Sequence, residues 1–136
     1  MIIDTSVLVA MVYGEPGIDE ISHALARERG FIPAPVLVEL HRVTSDTHNI
    51  LNPNAVELIR RLESLGHVIV PFDTESADEA IKSNRHFGTG NGSGGQLNIL
   101  DLMVYGTAKA RDLPILFTGN DFASTDAKIH PASRIG

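Results

Sequence analysis

At 136 residues, 43% of them hydrophobic, the chain has the size of one ordinary domain and can bury a sizeable core without staples. It holds no cysteine, which excludes disulfides, thiolate chemistry and Cys-based zinc sites. Its 11 basic and 17 acidic residues leave a net charge of −6, which argues against a nucleic-acid binder unless the acids are gathered at a metal site.

The elements follow in chain order. Met1 to Asp4 reads as a short buried strand, and the hydroxyl of Thr5 or Ser6 can cap the helix after it. Gly14-Glu15-Pro16-Gly17 is a turn. Ile18 to Arg29 forms a helix with Ile18, Ile21 and Leu25 on one face, stopped by Gly30. Phe31-Ile32-Pro33 is a second strand, expected at an edge or ending at its proline. Pro35 suits the first turn of a helix reaching about Asp46, with Val36, Leu40 and Val43 inward. Asn52-Pro53 opens a helix over 54–65, with Val56, Ile59 and Leu62 inward, and Gly66 ends it.

His67 to Pro71 is a third strand. Thr74 is expected to cap a helix from Glu75 to about His86. Gly88 to Gly95 carries five glycines and reads as a flexible surface loop; no strand precedes it and no Gly-Lys-Ser/Thr follows, so it is not a phosphate loop. Asn98 caps the next helix, which runs to about Arg111. Pro114 to Phe117 is a fourth strand, and the tail offers a short fifth. Strands alternating with helices predict a single α/β domain over 1–136, with a central parallel sheet of four to five strands covered on both faces. No apolar run approaches the roughly 20 residues that span a bilayer, and no signal peptide is evident, so a soluble cytoplasmic protein is expected.

Four carboxylates interrupt or close apolar segments: Asp4, Glu39, Asp101 and Asp121. An acid at such a position needs a cation, a donor or a catalytic reason, because desolvating it is costly. Asp4 and Asp121 follow predicted strands. Glu39 and Asp101 lie in the first parts of helices that leave the same end of the sheet, where ligands bind in open α/β folds. Two carboxylates about 5 Å apart repel by roughly 3 kcal/mol at an effective dielectric of about 20. Such a cluster therefore calls for a cation or for raised pKa values. All-oxygen donors favour Mg²⁺ or Mn²⁺, one or two ions, and two would reduce −6 to −2. The corresponding chemistry is metal-assisted phosphodiester hydrolysis.

The motifs Ile2-Ile3-Asp4-Thr5-Ser6-Val7-Leu8-Val9-Ala10, Val38-Glu39-Leu40, Leu97-Asn98-Ile99-Leu100-Asp101 with Tyr105 and Ala108-Lys109-Ala110, and Leu116 to Phe122 with Thr125-Asp126 stand in an informative order. In that order they resemble the PIN-domain ribonucleases, and are most similar to the VapC toxins of bacterial VapBC toxin–antitoxin pairs. The resemblance spans essentially the whole chain. It implies a Mg²⁺- or Mn²⁺-dependent endoribonuclease acting on tRNA, rRNA or mRNA. It also implies inhibition by a small VapB-like antitoxin, and a homodimer. By motif, Asp4, Glu39 and Asp101 carry over as metal ligands and catalytic acids, with Asp121 as the fourth.

Many relatives have two acids where this chain has Asn120-Asp121, so Asn120 is a neutral replacement and Asp126 a reserve. Thr5 and Ser6 are candidates to bond a ligand carboxylate or metal-bound water. Arg85, His86 and Lys109 are candidate RNA contacts. The six histidines form no ligand pattern; His23, His67 and His130 are expected at surface or edge positions, and Tyr105 in packing. Two other readings stand beside this one. One is a phosphatase or phosphotransferase with Asp4 as nucleophile, although the second Asp such enzymes carry two residues on is here Ser6. The other is a catalytically degenerate PIN-like binding module.

Overall fold

A computed structural model describes residues 1–136. Its elements in order are β1 (Ile2–Ile3), α1 (Thr5–Val12), α2 (Asp19–Arg27), β2 (Phe31–Pro33), α3 (Ala34–Thr44), α4 (Pro53–Ser64), β3 (Val68–Val70), α5 (Thr74–Phe87), α6 (Ile99–Arg111) and β4 (Ile115–Leu116). The four strands form one parallel sheet in the order β3-β2-β1-β4. Ile2 and Ile3 are adjacent on β1, so their side chains leave opposite faces of the sheet, and both are fully buried. Helices therefore cover both faces, as the alternating pattern predicts.

The chain steps outward from β1 to β2 to β3, then returns through α5 and α6 to place β4 on the other side of β1. The carboxyl ends of β1 and β4 thus flank the point where the winding direction reverses. That is where open α/β sheets bind ligands.

Several sequence expectations are corrected. β2 is an interior strand between β1 and β3, not an edge; it does end at its proline, which pairs with Val70. The fifth strand reduces to isolated bridges, Ile115 with Ile129 and Thr118 with Arg134, along which the tail runs beside β4. Carboxylates, not hydroxyls, cap two helices. Asp4 accepts the Ser6 N–H at the start of α1, and Asp73 accepts the Ser76 N–H at the start of α5. An ionised cap also complements the helix dipole. α2 ends at Arg27, before Gly30. Val43 is exposed on α3, and α4 buries Ala55, Leu58, Ile59 and Leu62 in place of a Val56 face.

His67 and His130 are buried rather than superficial. His67 Nδ1 accepts the Gly30 N–H at 2.8 Å, which leaves Nε2 to donate to the Leu25 carbonyl at 2.8 Å. The ring thereby ties α2 to the sheet. His130 donates to Glu28 at 2.7 Å.

The helix pair α5–α6 packs most closely. A Cβ on Gly106 would lie 2.3 Å from the Ser76 carbonyl oxygen and 3.0 Å from Ala80, so only glycine permits this crossing. With Ser76 and Ala80 against Gly106, and Asn84 lining a groove with Ile99, Leu102 and Met103, the two helices run antiparallel. The end of α5 therefore lies beside the start of α6. The glycine loop between them folds back on α5, where the Ser93 hydroxyl donates to the Arg85 carbonyl at 2.8 Å.

Candidate metal centre

Asp4 leaves β1 at its carboxyl end and is 6% exposed. Its Oδ2 accepts the Ser6 N–H at 3.1 Å and the Ser6 hydroxyl at 2.6 Å. The Ser6 hydroxyl in turn accepts the Thr118 N–H at 3.0 Å, which fastens the exit of β4 to the exit of β1. Beside Asp4, the Thr5 hydroxyl is buried with no protein partner.

Asp101 is the third residue of α6 and is 9% exposed. It closes a capping box with Asn98: Asn98 Oδ1 accepts the Asp101 N–H at 2.9 Å, and Asp101 Oδ2 accepts the Asn98 N–H at 3.0 Å. Glu39 is half-buried on α3. Asp121 is exposed in the turn after β4.

The four acids act on one another. Burial pushes the Asp4 carboxyl up from 3.8 to about 6; the Ser6 bonds oppose this, and the charges of Glu39 and Asp121 add to it. Burial likewise pushes Asp101 up to about 7, against the Asn98 bond and with the charges of Asp121, Asp4 and Glu39. Four separate elements thus deliver their carboxylates to one electrostatic neighbourhood. None of the molecule's six ion pairs involves any of them.

The donor set is all oxygen, and only one oxygen of Asp4 and one of Asp101 holds a hydrogen bond, so each leaves its Oδ1 free. No three of the molecule's carboxylates and histidines stand as a ready-made group that could hold a metal ion. An open carboxylate set completed by water and substrate oxygens suits Mg²⁺ or Mn²⁺, which keep several waters. The residues present fit such an ion.

The remaining sequence candidates are placed as follows. Asn120 is exposed next to Asp121, and the only acid of that pair to act on Asp4 and Asp101 is Asp121. Asp126 stands apart, bound by the Tyr105 hydroxyl and by Lys109 Nζ at 3.3 Å. Lys109 is thereby held in an ion pair and lies 5.9 Å from the centre of the Tyr105 ring. Arg85 and His86 are exposed at the end of α5, on the side of the molecule where α6 begins, and Arg85 has no acidic partner. Tyr105 packs as the sequence suggests, but its hydroxyl contact with Asp126 is a finding of the structure. The one signal available in sequence is the spacing Asp101, Tyr105, Lys109, which puts all three on one side of a helix.

Comparison with known proteins identifies the family. A family model described as PIN domain matches residues 1–128. Ribonuclease VapC42 of Mycobacterium tuberculosis is 35% identical over 134 residues, covering 97% of this chain and 98% of that one. Ribonuclease VapC36 of the same species is 35% identical over 129 residues, covering 93% and 90%. Among solved structures, a toxin–antitoxin complex from Klebsiella pneumoniae matches with a TM-score of 0.67 at 16% identity, covering 96% of each chain. VapBC2 from Rickettsia felis, bound to a DNA fragment from its promoter, matches with a TM-score of 0.66 at 14% identity, covering 99% of this chain and 96% of that one. These structural likenesses concern the fold.

Proposed function

The chain belongs to the PIN-domain family, among the VapC ribonucleases, and from that premise we propose that it is a Mg²⁺- or Mn²⁺-dependent endoribonuclease whose cation is held by Asp4, Glu39, Asp101 and Asp121. The observation that carries this reading is the convergence of four carboxylates with no basic partner. Two of them are pushed up to about 6 and about 7. A divalent cation would relieve that repulsion and return both buried acids to their charged form. When bound, it would lower the pKa of a coordinated water and offset negative charge on the leaving oxygen.

The chain's own residues prepare the site. Ser6 orients Asp4 through Oδ2 and leaves Oδ1 without a partner, where it would be free to hold a cation. Asn98 does the same for Asp101. Thr5, with an unpartnered hydroxyl, is available to a water or substrate oxygen. Arg85 offers a positive contact, and His86 a hydrogen-bonding one, to RNA phosphates near the start of α6. The alternative in which Asp4 is a phosphoryl-accepting nucleophile is less well supported, since the second Asp such enzymes carry two residues on is here Ser6. An antitoxin partner is part of the proposal, on the strength of the VapC relatives' names and of VapBC complexes among the structural neighbours, and a homodimer is part of it from the family resemblance alone.

The test is cleavage of a panel of tRNA, rRNA and mRNA by the wild type and by Asp4→Asn, with Mg²⁺ or Mn²⁺ and with EDTA. Cleavage that requires metal and Asp4 is expected. Undiminished cleavage by purified Asp4→Asn would refute the ligand assignment, and accumulation of a phosphoryl-enzyme would favour the nucleophile reading.

A further inference from the structure

One face of α6 serves two acids. Asp101, in its first turn, faces the cluster. Tyr105 and Lys109, one and two turns further on, hold Asp126. Asp126 closes the turn that begins after β4 and carries Asp121 five residues earlier. That turn is fixed at its start by the Gly119 N–H donating to the Arg134 carbonyl at 2.9 Å. It is fixed in its middle by Phe122, which is fully buried with its ring edge-on to Phe117 at 5.2 Å. Its far end is held by Asp126.

We propose that Asp126 is a positioning residue: clasped by Tyr105 and Lys109, it fixes the height of the Asp121 turn against α6 and so sets the spacing between Asp121 and Asp101. This rests on the acidic-site reading above and goes beyond it by giving Asp126 a role other than ligand.

Two observations carry the inference. Tyr105 is 1% exposed, and a buried phenol needs a partner; Asp126 supplies it across 21 residues of sequence. Each Asp126 oxygen already has a donor, Oδ1 from Tyr105 and Oδ2 from Lys109, whereas Asp4 and Asp101 keep an oxygen free. An ammonium beside Asp126 also opposes a metal ion at that point, which separates the clasp from the site electrostatically.

The test uses Tyr105→Phe, Asp126→Asn and Asp126→Ala in the full chain. Mn²⁺ affinity is measured by electron paramagnetic resonance, and amide hydrogen exchange is followed over residues 119–126. Tyr105→Phe and Asp126→Ala are expected to speed exchange in the turn and to weaken Mn²⁺ binding by roughly 10-fold, the scale for losing an outer-shell partner. Asp126→Asn, whose amide oxygen still accepts from Tyr105, is expected to recover most of both. Unchanged exchange in Tyr105→Phe and Asp126→Ala would overturn the clasp. Loss of Mn²⁺ binding in Asp126→Asn equal to that in Asp4→Asn would overturn it too, by making Asp126 a ligand. Absence of Mn²⁺ binding in the wild type would instead refute the acidic-site reading, and hydrogen exchange would then decide the clasp alone. Because Asp126 is exposed and Asn keeps an acceptor for the Tyr105 hydroxyl, Asp126→Asn leaves the core intact even if Tyr105→Phe folds poorly.

Discussion

Asp101 and Asp126 are served by the same helix, yet their surroundings are opposite. Asp101 is buried among three other carboxylates, without a cation, and is pushed up to about 7. Asp126 is exposed, paired with Lys109 and bonded by Tyr105, and the Tyr105 bond followed by Lys109 holds its carboxyl below the usual range. Asp4, pushed up to about 6, resembles the first. Acid type and sequence position do not separate these residues; their partners do. A carboxylate whose two oxygens are both supplied with donors is part of the architecture, while a buried one held against like charge is, in the reading proposed above, poised for a cation.

The largest expected effect comes from removing the poised acids. Asp4→Asn or Asp101→Asn should lower metal-dependent RNA cleavage by more than roughly 100-fold, the upper end for losing an outer-shell partner, since a direct donor is lost. Initial rates at saturating Mg²⁺ measure this, and the same change at Asp126 is expected to be far milder. Next is Ser6→Ala, which removes the hydroxyl that orients Asp4 and bridges to Thr118. It should weaken Mn²⁺ binding by roughly 10- to 100-fold in a calorimetric titration.

The poised acids should also reduce stability when no metal is present. Each has a folded pKa above its ordinary value of 3.8, so the folded state holds protons that the unfolded state has released. Their stabilising contribution is fully present below about pH 4 and is lost as pH rises through about 6 for Asp4 and about 7 for Asp101. For Asp4, the rise to about 6 corresponds to a penalty on the order of 3 kcal/mol at pH 8. Asp4→Asn should therefore raise the urea midpoint in EDTA at pH 8 and flatten its dependence between pH 5 and 8, as activity disappears. Mg²⁺ at about 100 times its dissociation constant should restore roughly 2.7 kcal/mol to the wild type and little to the variant. A smaller effect is expected from Gly106→Ala, which forces α5 and α6 apart at Ser76 and costs about 1–3 kcal/mol of overpacking. It should lower the melting temperature without selectively altering either acid.

Much of this was legible in the sequence. The alternation of short apolar runs with amphipathic segments encodes the parallel sheet. The four acids stand out because each interrupts or ends an apolar run, but the burial expected from that position holds for Asp4 and Asp101, while Glu39 is half-buried and Asp121 exposed. Local rules failed where two groups competed for one role. At the starts of α1 and α5 a carboxylate precedes the hydroxyl and takes the cap, as Asp4 and Asp73 show. Periodicity also misplaced Val43, because the inward face of α3 runs through Val36, Leu40 and Thr44 and leaves Val43 outside it. The contacts that separate Asp126 from Asp121 were beyond reach: Tyr105 and Asp126 are 21 residues apart, and nothing in either segment names the other. The buried roles of His67 and His130 depend on partners 37 to 102 residues away, for the same reason.

The most direct measurement is a crystal structure with Mn²⁺, using the ion's anomalous scattering to locate it. The expected result is Mn²⁺ at about 2.0–2.2 Å from oxygens of Asp4 and Asp101, with Glu39 or Asp121 completing the protein's share directly or through water, and Asp126 still bound to Tyr105 and Lys109. Mn²⁺ on Asp126, or no ion near Asp4 and Asp101 at saturating metal, would contradict it.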